Sequence, residues 1–229
     1  DVRTAFNHAK REGIRAEWAS YPSLPAGLKQ QVDTICQAWA DEKALPEMGF
    51  TLGGLREIND SDTRLLLALD EEERIHAVTS WMPVYSGGEV VGLTLDVMRR
   101  DDSGFRLAID FLIGQAALLA QDEGLQFISL SGAPLAESGQ CEESSELADS
   151  RFAFAPVLDV MGSVMEPVYG FRSLLAYKKK FQVRFVPLYL AIPDIANAPA
   201  VGLAIAHAYL PNMSAISAVG VAAKLVSRD

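Results

Sequence analysis

The spacing of apolar positions changes several times along the chain, and each change marks an element. Over residues 1–13, Phe6 and Ala9 fall on one face while Arg3, Lys10 and Arg11 fall on others, which predicts a short helix stopped by Gly13. After a Pro-containing turn at residues 21–25, Leu28, Val32, Ile35 and Trp39 recur at helical spacing, up to the charged Asp41-Glu42-Lys43. From Phe50 the period shortens. Residues 65–69 and 76–85 are apolar or β-branched and flank the polar turn Asp70-Glu71-Glu72-Glu73, a hairpin pattern. Ser86-Gly87-Gly88-Glu89 makes the next turn and residues 90–98 the next strand, so three strands follow one another as an antiparallel meander. The helical period then returns. Asp101-Asp102-Ser103-Gly104 opens a mostly buried helix over residues 105–121, Gly124 ends it, and residues 126–130 form a further strand. Strand–helix–strand in this order gives one parallel pairing inside a mixed sheet.

The second half is less regular. Residues 132–150 are polar, rich in Glu and Ser, and read as a mobile loop. Residues 152–165 are helical in pattern, residues 171–181 a short basic helix, residues 185–192 a last strand and residues 196–210 a last helix. The most apolar stretch, residues 192–226, is broken by Pro193, Asp194, Asn197, Pro199, His207, Pro211 and Asn212, so it reads as a packed helix with an irregular tail and not as a membrane crossing. The fold class is α+β: an acetyltransferase-like mixed sheet flanked by helices, with a helical lead-in over residues 1–46 and the main domain over residues 47–229.

Composition narrows the chemistry. The chain has 229 residues and a net charge of −10, a balance that opposes extensive contact with nucleic acid unless a local patch such as Lys178-Lys179-Lys180 overrides it. Two cysteines, Cys36 and Cys141, and three histidines, His8, His76 and His207, form no disulfide framework and no cluster at metal-ligand spacing. No metal or cofactor is expected, and a reducing, cytoplasmic setting is. Residues 1–15 are charged and carry no signal-peptide core.

Several short strings stand in order along the chain: Glu47-Met48-Gly49-Phe50 with Leu52-Gly53, Ser80-Trp81-Met82-Pro83, Leu95-Asp96-Val97-Met98-Arg99-Arg100, and Gly104 with Asp110-Phe111-Leu112-Ile113. Ser129-Leu130-Ser131-Gly132-Ala133-Pro134-Leu135, Tyr169-Gly170-Phe171, Tyr177-Lys178-Lys179-Lys180-Phe181 and Pro187-Leu188-Tyr189-Leu190-Ala191 complete the series. In this series the chain resembles the bacterial phosphatidylglycerol lysyl- and alanyltransferases. The resemblance implies the second of two acyltransferase-like halves, working as the cytoplasmic part of a membrane protein whose embedded portion lies outside this chain. It implies transfer of an amino acid, lysine or alanine, from aminoacyl-tRNA to a hydroxyl of phosphatidylglycerol or another lipid acceptor.

The same resemblance points to site residues. It places Asp96 and Arg99 in the lining of a substrate tunnel, and a structural ion pair is the competing reading. In a regular strand residues three apart point to opposite faces, so joint action requires Arg99 to lie beyond the strand end, where the chain turns toward Gly104. Strand end and helix N-terminus together would suit a phosphate or a developing oxyanion. Lys178 and Lys180 match basic positions that meet the tRNA end; a solvated basic face is the alternative. Ser129 and Ser131 end the parallel strand, where ordinary turn chemistry competes with substrate contact. Glu166, near Tyr169, is a candidate acid–base or amine-binding group. His76, His207 and Cys36 read as structural. Two other functions stay open. A coenzyme-A-dependent N-acetyltransferase would share the fold, but it would carry a glycine-rich pyrophosphate loop where Asp101 and Asp102 stand, and two carboxylates there repel pyrophosphate. The other is a non-catalytic regulatory domain of a membrane protein.

Overall fold

The computed structural model describes residues 2–41, 53–132, 171–186, 191, 194–197, 200–201 and 204. They belong to two compact units, Asp1–Ser131 and Gly132–Asp229. The first holds a five-stranded sheet in the order β1-β2-β3-β4-β5, in which β1 (Arg15–Ala19), β2 (Arg64–Leu69), β3 (Ile75–Ser86) and β4 (Glu89–Arg100) are successively antiparallel. β5 (Phe127–Ser129) joins β4 in parallel. Four helices accompany it: α1 (Val2–Arg11), α2 (Ala26–Asp41), α3 (Leu55–Ile58) and α4 (Ala108–Asp122). The expected α+β class, with its meander and single parallel crossover, is the architecture observed.

Turn chemistry sets the meander's register. Asp70 Oδ1 accepts the Glu72 and Arg74 N–H groups at 3.0 and 2.8 Å, which closes the β2–β3 turn. Between β3 and β4, Ser86 pairs with Glu89. The two residues left, Gly87 and Gly88, have φ of 61° and 89°, the double left-handed conformation that a tight hairpin turn needs and that glycine adopts without strain. The strand β1 lies inside the expected helical lead-in. Its sequence, Arg-Ala-Glu-Trp-Ala, lacks β-branched residues, yet it pairs with β2 over five positions.

Each sheet face is covered by helices. On one, Leu65, Leu67 and Leu69 of β2 alternate inward with Ile75 and Val78 of β3 and Val97 of β4, and pack beneath Val32, Ile35 and Cys36 of α2 and Ile58 of α3. On the other face α4 crosses the strands, burying Ala108, Phe111, Leu112 and Ala116. Burial of such side chains contributes about 1.5–3 kcal/mol for each large one. α1 packs on α4 where Gly114 leaves room for the Phe6 ring, and Phe6 meets Phe111 edge-to-face at 5.4 Å.

α4 starts at Ala108, three residues later than the periodicity predicts. The segment before it is a turn fixed by side chains. Asp101 Oδ1 accepts the Ser103 N–H at 2.9 Å, and the Phe105 N–H donates to His76 Nδ1 at 2.9 Å. His76 therefore carries its hydrogen on Nε2 and donates it to Asp70 Oδ2, also at 2.9 Å. Burial of His76 between these partners agrees with its structural reading.

In the second unit the basic helix appears as α5 (Phe171–Lys179). The expected loop at residues 132–150, the helix at residues 152–165 and most of the last strand and last helix lie outside the described residues; a short 3-10 turn, Ile195–Asn197, stands where that last helix was placed to begin.

Candidate active site

Asp96 and Arg99 come to one face of the sheet by a route that strand periodicity does not predict. β3 and β4 pair as Trp81↔Leu95 and Thr79↔Met98, so Asp96 and Val97 together oppose Ser80 alone. This is a β-bulge, and its extra residue shifts the alternation by one. Val97 packs in the cluster beneath α2. Arg99, two residues on, pairs with Val78 of the same cluster, and Asp96 precedes the shift on that same side. The expectation that Arg99 must lie past the strand end is thus corrected: β4 continues to Arg100, and the bulge does what a strand end was expected to do. The spare N–H of the bulge, on Val97, donates to Ser80 Oγ at 2.9 Å.

Asp96 is held tightly on one side. Its Oδ1 accepts the Gly53 N–H at 3.0 Å, while Oδ2 is buried and has no hydrogen-bond partner among the described residues. The carboxylate lies flat against the Gly53 backbone, so close that a Cβ there would sit 1.6 Å from Oδ2. Only glycine allows that approach. Burial pushes the Asp96 carboxyl above the usual carboxylate range; the Gly53 hydrogen bond and the Arg99 charge pull it back, and the charge of Glu57 on α3 adds to the upward push. Arg99 is itself buried. Its guanidinium lies 3.3 Å from the centre of the Trp39 ring, a cation–π stack supplied by the last turn of α2, and Nη1 donates to Met98 O at 3.1 Å.

The sheet opens beside this pair. β5 pairs with β4 only at Gly92↔Phe127, Leu93↔Ile128 and Thr94↔Ser129. Past Thr94, β4 runs on through Asp96 and Arg99 with no strand against that edge among the described residues. Gly92 permits the close approach at the start of this pairing, since a Cβ there would meet the Phe127 ring and carbonyl at 2.8 Å. A carboxylate with one unpaired oxygen and a buried guanidinium, placed where two parallel strands part, can bind and deprotonate a hydroxyl and stabilise developing negative charge.

The other candidates are distributed differently. Ser129 Oγ accepts the Ser131 N–H at 3.1 Å and Ser131 has a φ of 64°, which is turn chemistry at the end of β5. Lys178 and Lys180 lie in the second unit and point differently. Lys178 is buried and donates to Gly132 O at 2.6 Å, and burial holds its ammonium down to about 8. Lys180 is exposed, past the end of α5, with its ammonium 4.7 Å from the Tyr177 ring centre. Glu166 lies outside the described residues. Three residues that the sequence did not mark as site candidates join Asp96 and Arg99: Gly53, Trp39 and Ser80. Gly53 and Ser80 stand in the quoted strings, but nothing local in those strings names their partners.

The turn between β4 and α4 is acidic and already paired. Burial works against Asp101, yet the Arg74 guanidinium at 2.6 Å and Ser103 hold its carboxyl below the usual range. Asp102 pairs with Arg100 at 2.6 Å. A cavity of about 370 Å³ adjoins the turn, with His8, Glu12, Ser103 and Arg106 among its walls. Among the described residues no group of His, Cys, Asp and Glu could hold a metal ion, and no helix is long and apolar enough to cross a membrane.

Fold and site together define an α+β domain that carries a carboxylate and a guanidinium on one face of β4, the strand next to the sheet's parallel edge. The sequence matches the family described as "Phosphatidylglycerol lysyltransferase, C-terminal" over residues 1–192, and the chain belongs to that family. An uncharacterized protein of Corynebacterium glutamicum is 46% identical over 210 residues, which are 92% of this chain and 26% of that protein. The lysylphosphatidylglycerol biosynthesis bifunctional protein LysX of Nocardia farcinica is 26% identical over 217 residues, 93% of this chain and 18% of that protein. The structure of L-PGS from Bacillus licheniformis superposes with a TM-score of 0.68 at 21% identity, covering 91% of this chain and 59% of that one; this likeness shows a shared fold. The chain therefore spans about a quarter or less of the curated relatives it matches.

Proposed function

We propose that this chain carries the transfer site of a phosphatidylglycerol lysyltransferase, in which lysine passes from lysyl-tRNA to a hydroxyl of phosphatidylglycerol. Membership of the family and the naming of the LysX relatives favour lysine over alanine. The observation that carries the reading is Asp96: a carboxylate with one oxygen fixed by Gly53 and the other buried and unpaired beside Arg99.

In this proposal Asp96 Oδ2 accepts the lipid hydroxyl's hydrogen bond. The hydroxyl oxygen attacks the ester carbonyl carbon and its proton passes to Asp96. When the tetrahedral intermediate collapses, the bond to the tRNA ribose oxygen breaks and that oxygen takes the proton back. The ester is already activated, so alignment and charge stabilisation supply most of the acceleration. Arg99 remains protonated throughout, favours the ionised form of Asp96 against the effect of burial, and opposes the charge that builds on the carbonyl oxygen. With a net charge of −10, contact with tRNA falls to the local basic patch of the second unit, where Lys179, Lys180 and Arg184 are exposed. The lead-in over residues 1–46 supplies β1, α2 and Trp39 to the transferase that residues 47–229 complete, and the membrane-embedded part lies outside this chain.

The acidic turn speaks against a coenzyme-A-dependent acetyltransferase, because Asp101 and Asp102 would face the pyrophosphate. The test is Asp96→Ala and Arg99→Ala in the full-length protein, assayed for label passing from aminoacyl-tRNA into phosphatidylglycerol. Each variant loses at least about 100-fold, the scale of removing a general base or an oxyanion donor, with an unchanged circular dichroism spectrum. Turnover near that of the parent in either variant overturns these roles.

A further inference from the structure

Ser80 is buried within the sheet, yet the placement of Asp96 and Arg99 on one face depends on the bulge it stands opposite. It is fully buried, between Leu65 on one neighbouring strand and the Asp96–Val97 bulge on the other. A bulge leaves one backbone N–H out of the ladder, and a buried N–H without an acceptor is costly. That N–H belongs to Val97, and Ser80 Oγ takes it at 2.9 Å. Without the hydroxyl, the ladder recovers its bonds by expelling the extra residue along the strand. A one-residue slip turns each side chain it passes to the opposite face, so Asp96 and Arg99 no longer share one. Alanine fills the space of serine here but offers no acceptor, which isolates the effect of the hydroxyl.

We propose that Ser80 is a positioning residue for the transfer site: by accepting the Val97 N–H it holds the β4 bulge that places Asp96 and Arg99 on one face. The role in transfer rests on the function proposed above; the coupling between Ser80 and Asp96 does not, and it is measurable without substrate.

The experiment is a double-mutant cycle of Ser80→Ala and Asp96→Asn in the full-length protein, read by thermal unfolding. Asp96→Asn removes the carboxylate charge beside the buried Arg99 guanidinium and shifts the melting temperature of the parent by about 2–6 °C. In the Ser80→Ala background the carboxylate has already left its pocket, and the same change gives a shift less than half as large. Ser80→Thr keeps the hydroxyl and the coupling. Ser80→Cys, with a weaker acceptor, gives an intermediate value and carries the test if Ser80→Ala does not fold. Additive shifts in these backgrounds overturn the proposal, since sites that do not communicate add. In the transfer assay, Ser80→Ala also moves the acid limb of the kcat profile to lower pH, because a released Asp96 becomes an ordinary solvated carboxylate; a structural role alone lowers the amplitude and leaves the limb in place. Coupling without any transfer by the parent sinks the proposed function and leaves the positioning role standing. Transfer with additive melting shifts does the reverse.

Discussion

Replacing Gly53 by Ala adds one methyl group and changes no charge, but that methyl lands on the Asp96 carboxylate. The new Cβ falls 1.6 Å from Oδ2, 2.4 Å from Cγ and 2.8 Å from Oδ1, where ordinary contact begins at 3.4 Å. Relief of the Oδ2 contact alone requires a displacement of about 1.8 Å, the difference between 3.4 and 1.6 Å. Gly53 is not among the glycines with positive φ, so alanine takes up the backbone conformation without strain and the carboxylate must be the group that moves. Leaving the Gly53 N–H forfeits a hydrogen bond to a charged acceptor, about 1.5–3 kcal/mol, partly offset by about 0.4–1 kcal/mol from the lower chain entropy of alanine. Misplacement of about 1 Å can cost about 100-fold in rate, so Gly53→Ala lowers kcat by at least about 100-fold, an increase of about 2.7 kcal/mol in the barrier. The assay is transfer of labelled amino acid into phosphatidylglycerol, with melting as the control for folding. Gly27→Ala is the comparison: it lies near the start of α2 with nothing within 4 Å of its added Cβ, and it retains full activity. Transfer by Gly53→Ala within about threefold of the parent refutes the placement of Asp96 at the reacting centre.

Three further outcomes are expected. Trp39→Ala removes the ring that stacks on Arg99 and lowers transfer by about 3- to 30-fold, on the scale of a cation–π contact of about 0.5–2 kcal/mol, whereas Trp39→Phe keeps most of it; equal loss in both variants contradicts the stacking role. Lys178 has a folded-state value of about 8, below its ordinary 10.5, so the unfolded chain binds more protons between those values and stability rises with pH across that window. Lys178→Met removes this rise, and parallel melting curves for parent and variant from pH 7 to 11 would refute it. Acetyl-coenzyme A gives no heat of binding at micromolar concentration in calorimetry, because the turn that would hold its pyrophosphate carries Asp101 and Asp102; micromolar binding restores the acetyltransferase reading.

The meander was legible because two signals coincide there: apolar or β-branched runs in residues 65–98 and turn residues at Asp70 and at Gly87-Gly88. The strand β1 was not, because its five residues carry charge and no β-branching, and they become a strand only by pairing with Leu65–Leu69 positions fifty residues away. Asp96 and Arg99 were named from motif order, but their shared face was hidden. It depends on where β3 stands against β4, a register that no local pattern encodes. Trp39 shows the same limit, since helical spacing puts it on the apolar face of α2 without revealing that a guanidinium covers its ring. Three consecutive lysines suggest a solvated patch; the burial of the first, Lys178, is a tertiary fact. Gly53 was visible as a glycine in a string, and its reason, a carboxylate 43 residues further on, was not.

The central claim, that this chain carries a lysyl-transfer site built on Asp96, is tested most directly by one assay. Full-length protein is mixed with phosphatidylglycerol vesicles and labelled lysyl-, alanyl- or arginyl-tRNA, and label is counted in the chloroform phase. The account predicts label from lysyl-tRNA that disappears with Asp96→Ala. Absence of label from all three donors with folded protein, or label that survives Asp96→Ala, contradicts it.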